Sequence, residues 1–312
     1  MRYPWPLTTD QQACFDAPGE AMPCASSGRA AGQPPAKRFE VRGAMVLDTL
    51  TGLRWSRDAN PFEFPYSWEE AFDLIAGLNR SRTHGREDWR LPSRRELFSL
   101  ISHRLINPAL PQGHPFREVF HGYYWTATPC ARLSDQAWYI HLGGGRVYRG
   151  RQQGACLVWP VAGSGWHPLP PAQRFRVQGL AVEDRLTELW WTPSARTGCA
   201  QMTWEDALRA PSALNRDKYG GRTDWRLPNI RELESLVDLA RHSPALPASH
   251  PFRDAQEGYW SATTSAYEPR YAWVLYMQDG AVGVGFKPEA TFSAWAVASA
   301  GQTASPAGGK PS

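Results

Sequence analysis

The chain has 312 residues, 34 Lys or Arg against 30 Asp or Glu, and a net charge of +4. That length leaves room for two ordinary domains, and 42% hydrophobic with 21% charged residues describes a globular protein rather than a fibrous or disordered one. So small a net charge, with no nucleic-acid motif, argues against nucleic acid as a partner, and no run of about 18 apolar residues offers a membrane span.

The first 37 residues form a lead segment. Its start, "MRYPWPLTTDQQ", has one Arg but no apolar stretch and no small-residue cleavage site. No signal peptide is expected in it, so the protein is either cytoplasmic or preceded by a leader. Cys14 and Cys24 flank the turn-rich "CFDAPGEAMPC", where a disulfide would staple a loop that has little else to hold it. With five cysteines and no CxxC spacing, no zinc site is expected.

From Arg38 the pattern becomes regular. "AMVLDTLTGLRW" alternates and turns at Asp-Thr-Leu-Thr-Gly, which predicts two short strands. "SWEEAFDLIAGLN" places Trp68, Phe72, Ile75 and Leu78 at helical spacing behind Ser67 as N-cap. In "DWRLPSRREL" the residue before Pro92 is held extended. Ser93 with Glu96 then makes a capping box, and Leu97, Leu100 and Ile101 supply a buried face. The final third, with Trp125, Trp138, Trp159 and glycine-rich turns, reads as antiparallel hairpins.

All of this is then written again. Trp89 and Trp225 lie 136 positions apart, and the same offset matches "SWEEA" to "TWEDA", "DWRLPSRREL" to "DWRLPNIREL" and "NPALPQGHPFR" to "SPALPASHPFR". With a slip of one, "YYWTAT" matches "GYWSAT". A period this long means duplicated domains rather than a solenoid. The expected organisation is copy 1 at 38–163, a Gly- and Pro-rich linker at 164–173, copy 2 at 174–300, and a disordered tail at 301–312. The copies are expected to pack through a modest interface. Trp89, Arg90, Pro92 and Glu96, with Trp225, Arg226, Pro228 and Glu232, are read as architecture: strand end, turn, capped helix and a structural ion pair.

These motifs, with "TGLRW", "QAW" and "YAW", resemble the Lcl C-terminal domain family, long listed as a domain of unknown function. The resemblance covers about 80% of the chain. It implies an α+β fold, with two tandem units distantly similar to C-type lectin-like domains, each a twisted antiparallel sheet with two helices. It also implies a bacterial, exported protein, since "CFDAPGEAMPC" is similar to the lead segment of family members. The founding member is a collagen-like adhesin whose domain binds sulfated glycosaminoglycans, so an anionic polysaccharide is the partner implied. A protein partner is the other candidate. The chain departs from the family where "TELWW" lacks the Gly of "TGLRW", and where "CLVWPV" and "FSAWAV" replace a closing Val-Arg pattern.

Charge singles out one hairpin. Residues 38–163 carry 16 basic and 12 acidic side chains, whereas 174–300 carry 14 and 15. Arg146, Arg149 and Arg151 surround Tyr148 in "GGGRVYRGRQQG", where copy 2 has "DGAVGVGF". On a strand Arg149 and Arg151 share one face, and Arg146 and Tyr148 the other. Guanidinium forks suit sulfate, phosphate or carboxylate, and an aromatic ring beside them can stack on a sugar. A solvated edge strand defended by charge is the plainer reading.

An enzyme remains an alternative, because lectin-like folds also host formylglycine-generating and sulfoxide-forming enzymes. Those need a redox cysteine pair or a histidine cluster. Cys130 and Cys156 could meet across adjacent strands, as a structural disulfide rather than a catalytic pair, leaving Cys199 free. His103, His121 and His141 lack metal-ligand spacing. With no catalytic motif, no catalytic residue, metal or cofactor is assigned, and the expectation is a non-catalytic binding protein.

Overall fold

The computed structural model describes residues 8–12, 14–22, 38–165 and 171–299. A short hairpin of β1 (Cys14–Phe15) and β2 (Ala21–Met22) precedes the first copy. Copy 1 opens with β3 (Phe39–Arg42), β4 (Met45–Asp48) and β5 (Arg54–Ser56). The predicted turn joins β4 to β5: Gly52 takes φ +76° and donates its N–H to the Asp48 carbonyl. The Arg38 guanidinium closes this corner with a two-pronged contact to the Asp48 carboxylate at 2.7 and 3.0 Å.

The helix α1 (Trp68–Arg80) starts at Ser67 with a complete capping box to Glu70. Its buried side chains are Ala71 and Ile75. Phe72, expected on the same face, stays 40% exposed and packs edge-on against Trp68 at 4.9 Å. Then come β6 (Trp89–Arg90) and α2 (Arg94–Ser99), the latter capped by Ser93 and Glu96. The last third supplies β7 (Tyr123–Pro129), β8 (Gln136–His141), β9 (Val147–Arg151) and β10 (Val161–Ala162).

The one-turn α3 (Pro171–Arg174) leads from the linker into copy 2, which continues with β11 (Phe175–Gln178), β12 (Ala181–Asp184) and β13 (Leu189–Trp191). Its long helix is broken into α4 (Trp204–Arg209) and α5 (Pro211–Arg216), because Pro211 has no N–H for the ladder and instead opens a new turn. Then α6 (Ile230–Ser235), capped by Asn229 and Glu232, leads to β14 (Gly258–Thr264), β15 (Tyr271–Tyr276), β16 (Ala281–Phe286) and β17 (Val297–Ala298).

The indole N–H groups repeat their tethers in both copies. Trp68 donates to the Thr126 carbonyl and Trp204 to that of Ser261. Trp125 donates to Tyr66 and Trp260 to Met202, both at 2.8 Å. Asn79 brackets the backbone of Trp89, and Asn215 that of Trp225. Trp68, Trp125, Trp204 and Trp260 thus bury large apolar area while spending their one donor on a main-chain carbonyl.

Besides the two-stranded β1–β2 hairpin, three antiparallel sheets result. Copy 1 has β3-β4-β5-β10-β6 and copy 2 has β11-β12-β13-β17. The third has the order β14-β15-β16-β9-β8-β7 and belongs to both copies, joined by Val147 opposite Val282. These two valines hold the same place in the duplication, as a two-fold contact between like edges requires. One apolar cluster also runs through both copies, from Trp55, Phe98 and Trp159 to Leu233, Trp273 and Trp295. The modest interface expected from the sequence is in fact a shared sheet and a shared core.

The helices repeat this reciprocity. Arg95 of α2 donates to the Val237 carbonyl just beyond α6, and Arg231 of α6 donates to the Ile101 carbonyl just beyond α2. Ile101 and Val237 are themselves duplicated positions. The copies have also diverged in a complementary way. Arg94 stands where copy 2 has Ile230, and Glu234 where copy 1 has Phe98. Arg94 lies 3.6 Å from Glu234, and Arg95 lies 3.5 Å from it.

The lead segment straps the copies together. Asp10 accepts from the Ser102 hydroxyl and the His103 N–H of copy 1. The Gln11 amide exchanges two hydrogen bonds with the backbone of Thr264 in copy 2. The buried Lys287 ammonium donates to the carbonyls of Phe15 and Asp16. Copy 1 has Pro129 and Gln152 in place of Thr264 and Lys287, so it offers neither the N–H nor the ammonium.

One expectation needs correction. Cys130 and Cys156 are both buried free thiols, as Cys199 is an exposed one. The Cys130 N–H is paired with Gln136 across the β7–β8 hairpin, while Cys156 has left that sheet to pair with Tyr66. Cys14 is disulfide-bonded. Cys24 lies outside the described residues, as do half of the linker (166–170), Ala300 and the tail (301–312). Among the described residues, no helix is long and apolar enough to cross a membrane.

Four outcomes are expected. A chain cut once between Gly165 and Pro171 should still elute as one species under native conditions, whereas separate fragments would contradict the shared core. Glu234→Ala, which strips the buried Arg94 and the part-buried Arg95 of their common carboxylate, should cost about 3–5 kcal/mol in denaturant unfolding. Arg42→Ala, at an exposed pair with Glu40, should cost about 1 kcal/mol or less. Burial, followed by the nearby Arg231 charge, holds the pKa of His103 well below the ordinary value. The unfolded chain therefore binds more protons than the native one as pH falls below about 6.5, and stability should decline there. His103→Leu, which copies Leu239 of the second copy, should flatten the pH dependence of Tm between pH 7 and 5.

Candidate functional site

The β8–β9 hairpin turns through three glycines, and two of them are sterically required. Gly145 has φ +79°, and a Cβ there would lie 2.5 Å from the Ile101 side chain. A Cβ on Gly143 would sit 2.7 Å from the His141 ring, whose Nδ1 contacts the Gly143 carbonyl at 2.6 Å. The turn therefore lies tight against the seam and fixes the imidazole.

Beyond it Tyr148 stands opposite Tyr139, and Gly150 leaves room for the Tyr139 ring to lie over the strand. Tyr123 packs edge-on to Tyr139 at 4.9 Å and lies 4.6 Å from His141. Burial pushes the Tyr139 phenol up, with Tyr123, Cys156 and Tyr148 adding to the shift. Burial likewise raises Tyr276, which also senses Tyr148. Both stay neutral hydrogen-bonding groups across the ordinary pH range.

These side chains line a cleft of about 520 Å³ where the copies meet. Copy 1 contributes Tyr123, Tyr139, His141, Arg146 and Tyr148, and copy 2 contributes Ser265, Tyr267, Trp273 and Val284. Arg146 is exposed and has no acidic partner among the described residues. Tyr123, Tyr148 and Tyr267 are 50%, 48% and 71% exposed, so three of the large exposed aromatic side chains gather at one place. Such a gathering marks a recognition surface more often than a chance of composition.

The four residues singled out in the sequence separate here. Arg146 and Tyr148 both reach the cleft. Arg149 turns to the opposite face, pairs with Asp279 at 2.7 Å and lies over Trp138. Arg151 is exposed across from Gln136 and does not line the cleft. Arg90 and Arg226 hold Glu96 and Glu232 through paired contacts of 2.6 and 2.7 Å, inside each copy and away from the cleft. Sequence reasoning missed Tyr123, Tyr139, His141 and Tyr267. The first three were visible only as strand aromatics, and Tyr267 comes from the other copy, with no spacing signal to link it to Arg146.

The Lcl C-terminal domain model matches residues 44–162 and again residues 180–298. No curated protein matches the chain. With two matches that together span most of its length and coincide with the duplicated fold, the chain belongs to the Lcl C-terminal domain family and carries two tandem copies of its domain.

Proposed function

We propose that this protein is a non-catalytic, adhesin-like binding module of the cell surface or envelope that recognises anionic carbohydrate through the β8–β9 hairpin of copy 1. The observation that carries the reading is Arg146, an exposed guanidinium with no carboxylate of its own among the described residues, beside the half-exposed ring of Tyr148. A cation without a partner is available to a ligand anion, and a tyrosine offers a flat apolar face with a polar tip. The disulfide at Cys14 supports an oxidising compartment. Antiparallel sheets flanked by a few short helices are in keeping with a distant kinship to C-type lectin-like folds.

Charge-assisted contacts at an exposed site are screened over about 8 Å at physiological ionic strength. The intact protein should therefore bind immobilised acidic glycans more than neutral ones and elute as salt is raised. Arg146→Ala should elute at lower salt. Equal retention on neutral and acidic glycans, or none on either, would remove this reading.

A further inference from the structure

The seam cleft exists because the two copies have diverged on one side of their common axis. With Val147 and Val282 as the equivalent pair, Arg149 corresponds to Val284, Asp279 to Gly144, Gln278 to Gly143, and Arg132 to Tyr267. On one side of the axis the space over Trp138 is filled by polar groups. Arg149 bonds Asp279 at 2.7 Å, Arg132 bonds Gln278 at 2.6 Å, and Arg94 lies 4.7 Å over the Trp138 ring. On the other side, Val284, Gly144 and Gly143 are too short to meet, and Tyr267 borders the opening in place of Arg132. Trp273, the counterpart of Trp138, lies in the wall of a cleft of about 520 Å³.

The charge of that cleft is as telling as its shape. Among the described residues Arg146 is its single arginine, and no carboxylate lines it. The other arginines of the hairpin are spent on Asp279 or lie outside the lining. The remaining polar groups are four phenols, the Ser265 hydroxyl and the His141 imidazole, set among flat rings. A volume in this range holds a compact ligand rather than a length of polymer.

Building on the carbohydrate reading above, we infer that the seam cleft binds a short oligosaccharide with a single anionic group. Arg146 takes the anion, Tyr148 and Tyr267 take the sugar faces, and both copies are needed to complete the site. A densely sulfated chain is the poorer match, because one free guanidinium cannot answer many sulfates.

The test is calorimetric titration of the full chain with three probes: a disaccharide with one uronic carboxylate, its neutral hexose analogue, and a heparin hexasaccharide. Variants are Arg146→Gln, Tyr267→Ala and Val284→Phe, the last plugging the cleft from the second copy without touching the hairpin. Arg151→Ala is the control outside the lining, and Tm confirms that each variant is folded. The inference expects the uronate to bind best. It also expects each of the three cleft variants to weaken that binding by about tenfold or more, and Arg151→Ala to leave it unchanged. Acidic-sugar binding that survives Val284→Phe and Tyr267→Ala but falls with Arg151→Ala would overturn the cleft and leave the broader carbohydrate reading standing. Binding of no sugar, or of peptides in place of sugars, would overturn both.

Discussion

Each copy contains a three-stranded meander, β7-β8-β9 or β14-β15-β16, whose last strand would have an open edge without the other copy. An unpaired edge beside an apolar face is an unstable arrangement in water. This chain resolves it by laying the two edges together at Val147 and Val282. Much of the rest follows from that contact. The short helices α2 and α6 are brought face to face, Arg95 and Arg231 cap each other's following carbonyls, and the apolar cluster becomes continuous. The strap from Asp10 to Asp16 then crosses a junction that is already closed.

Two-fold contacts put like residues together, which is tolerable for valine and costly for charge. The divergence of the copies answers that constraint. In a pairing of two first copies, Arg94 would face Phe98, and in a pairing of two second copies, Glu234 would face Ile230. Each would bury a charge against an apolar group. Only the mixed pair sets Arg94 near Glu234. Once the copies are held in one chain, positions near the axis are free to differ. Arg149 and Asp279 filled one side, while Val284 and Gly144 left the other open.

The parts legible in the sequence were those encoded locally. Ser67, Ser93 and Asn229 cap the helices they announce, and the turn at Gly52 joins the strands drawn on either side of it. The duplication itself was plain. What could not be read were contacts between distant segments whose residue types carry no mark of the partner. Val147 looks like any strand valine, and Arg149 in "RVYRGR" looks as free as Arg146 until Asp279 arrives from 130 residues away. Cys130 and Cys156 failed for the same reason. Cys130 follows β7 and Cys156 follows β9, with β8 between those strands, and Cys156 pairs with Tyr66 instead. Of the candidate site only Arg146 and Tyr148 were therefore visible, while Tyr123, Tyr139 and His141 and the residues donated by copy 2 were not.

The claim on which the account rests is that the two copies are one cooperative body, and differential scanning calorimetry of the intact chain tests it most directly. A shared sheet and core predict a single heat-absorption peak with a calorimetric to van't Hoff enthalpy ratio of about one. Two resolved transitions, each carrying about half the enthalpy, would show two independently stable domains and contradict the account.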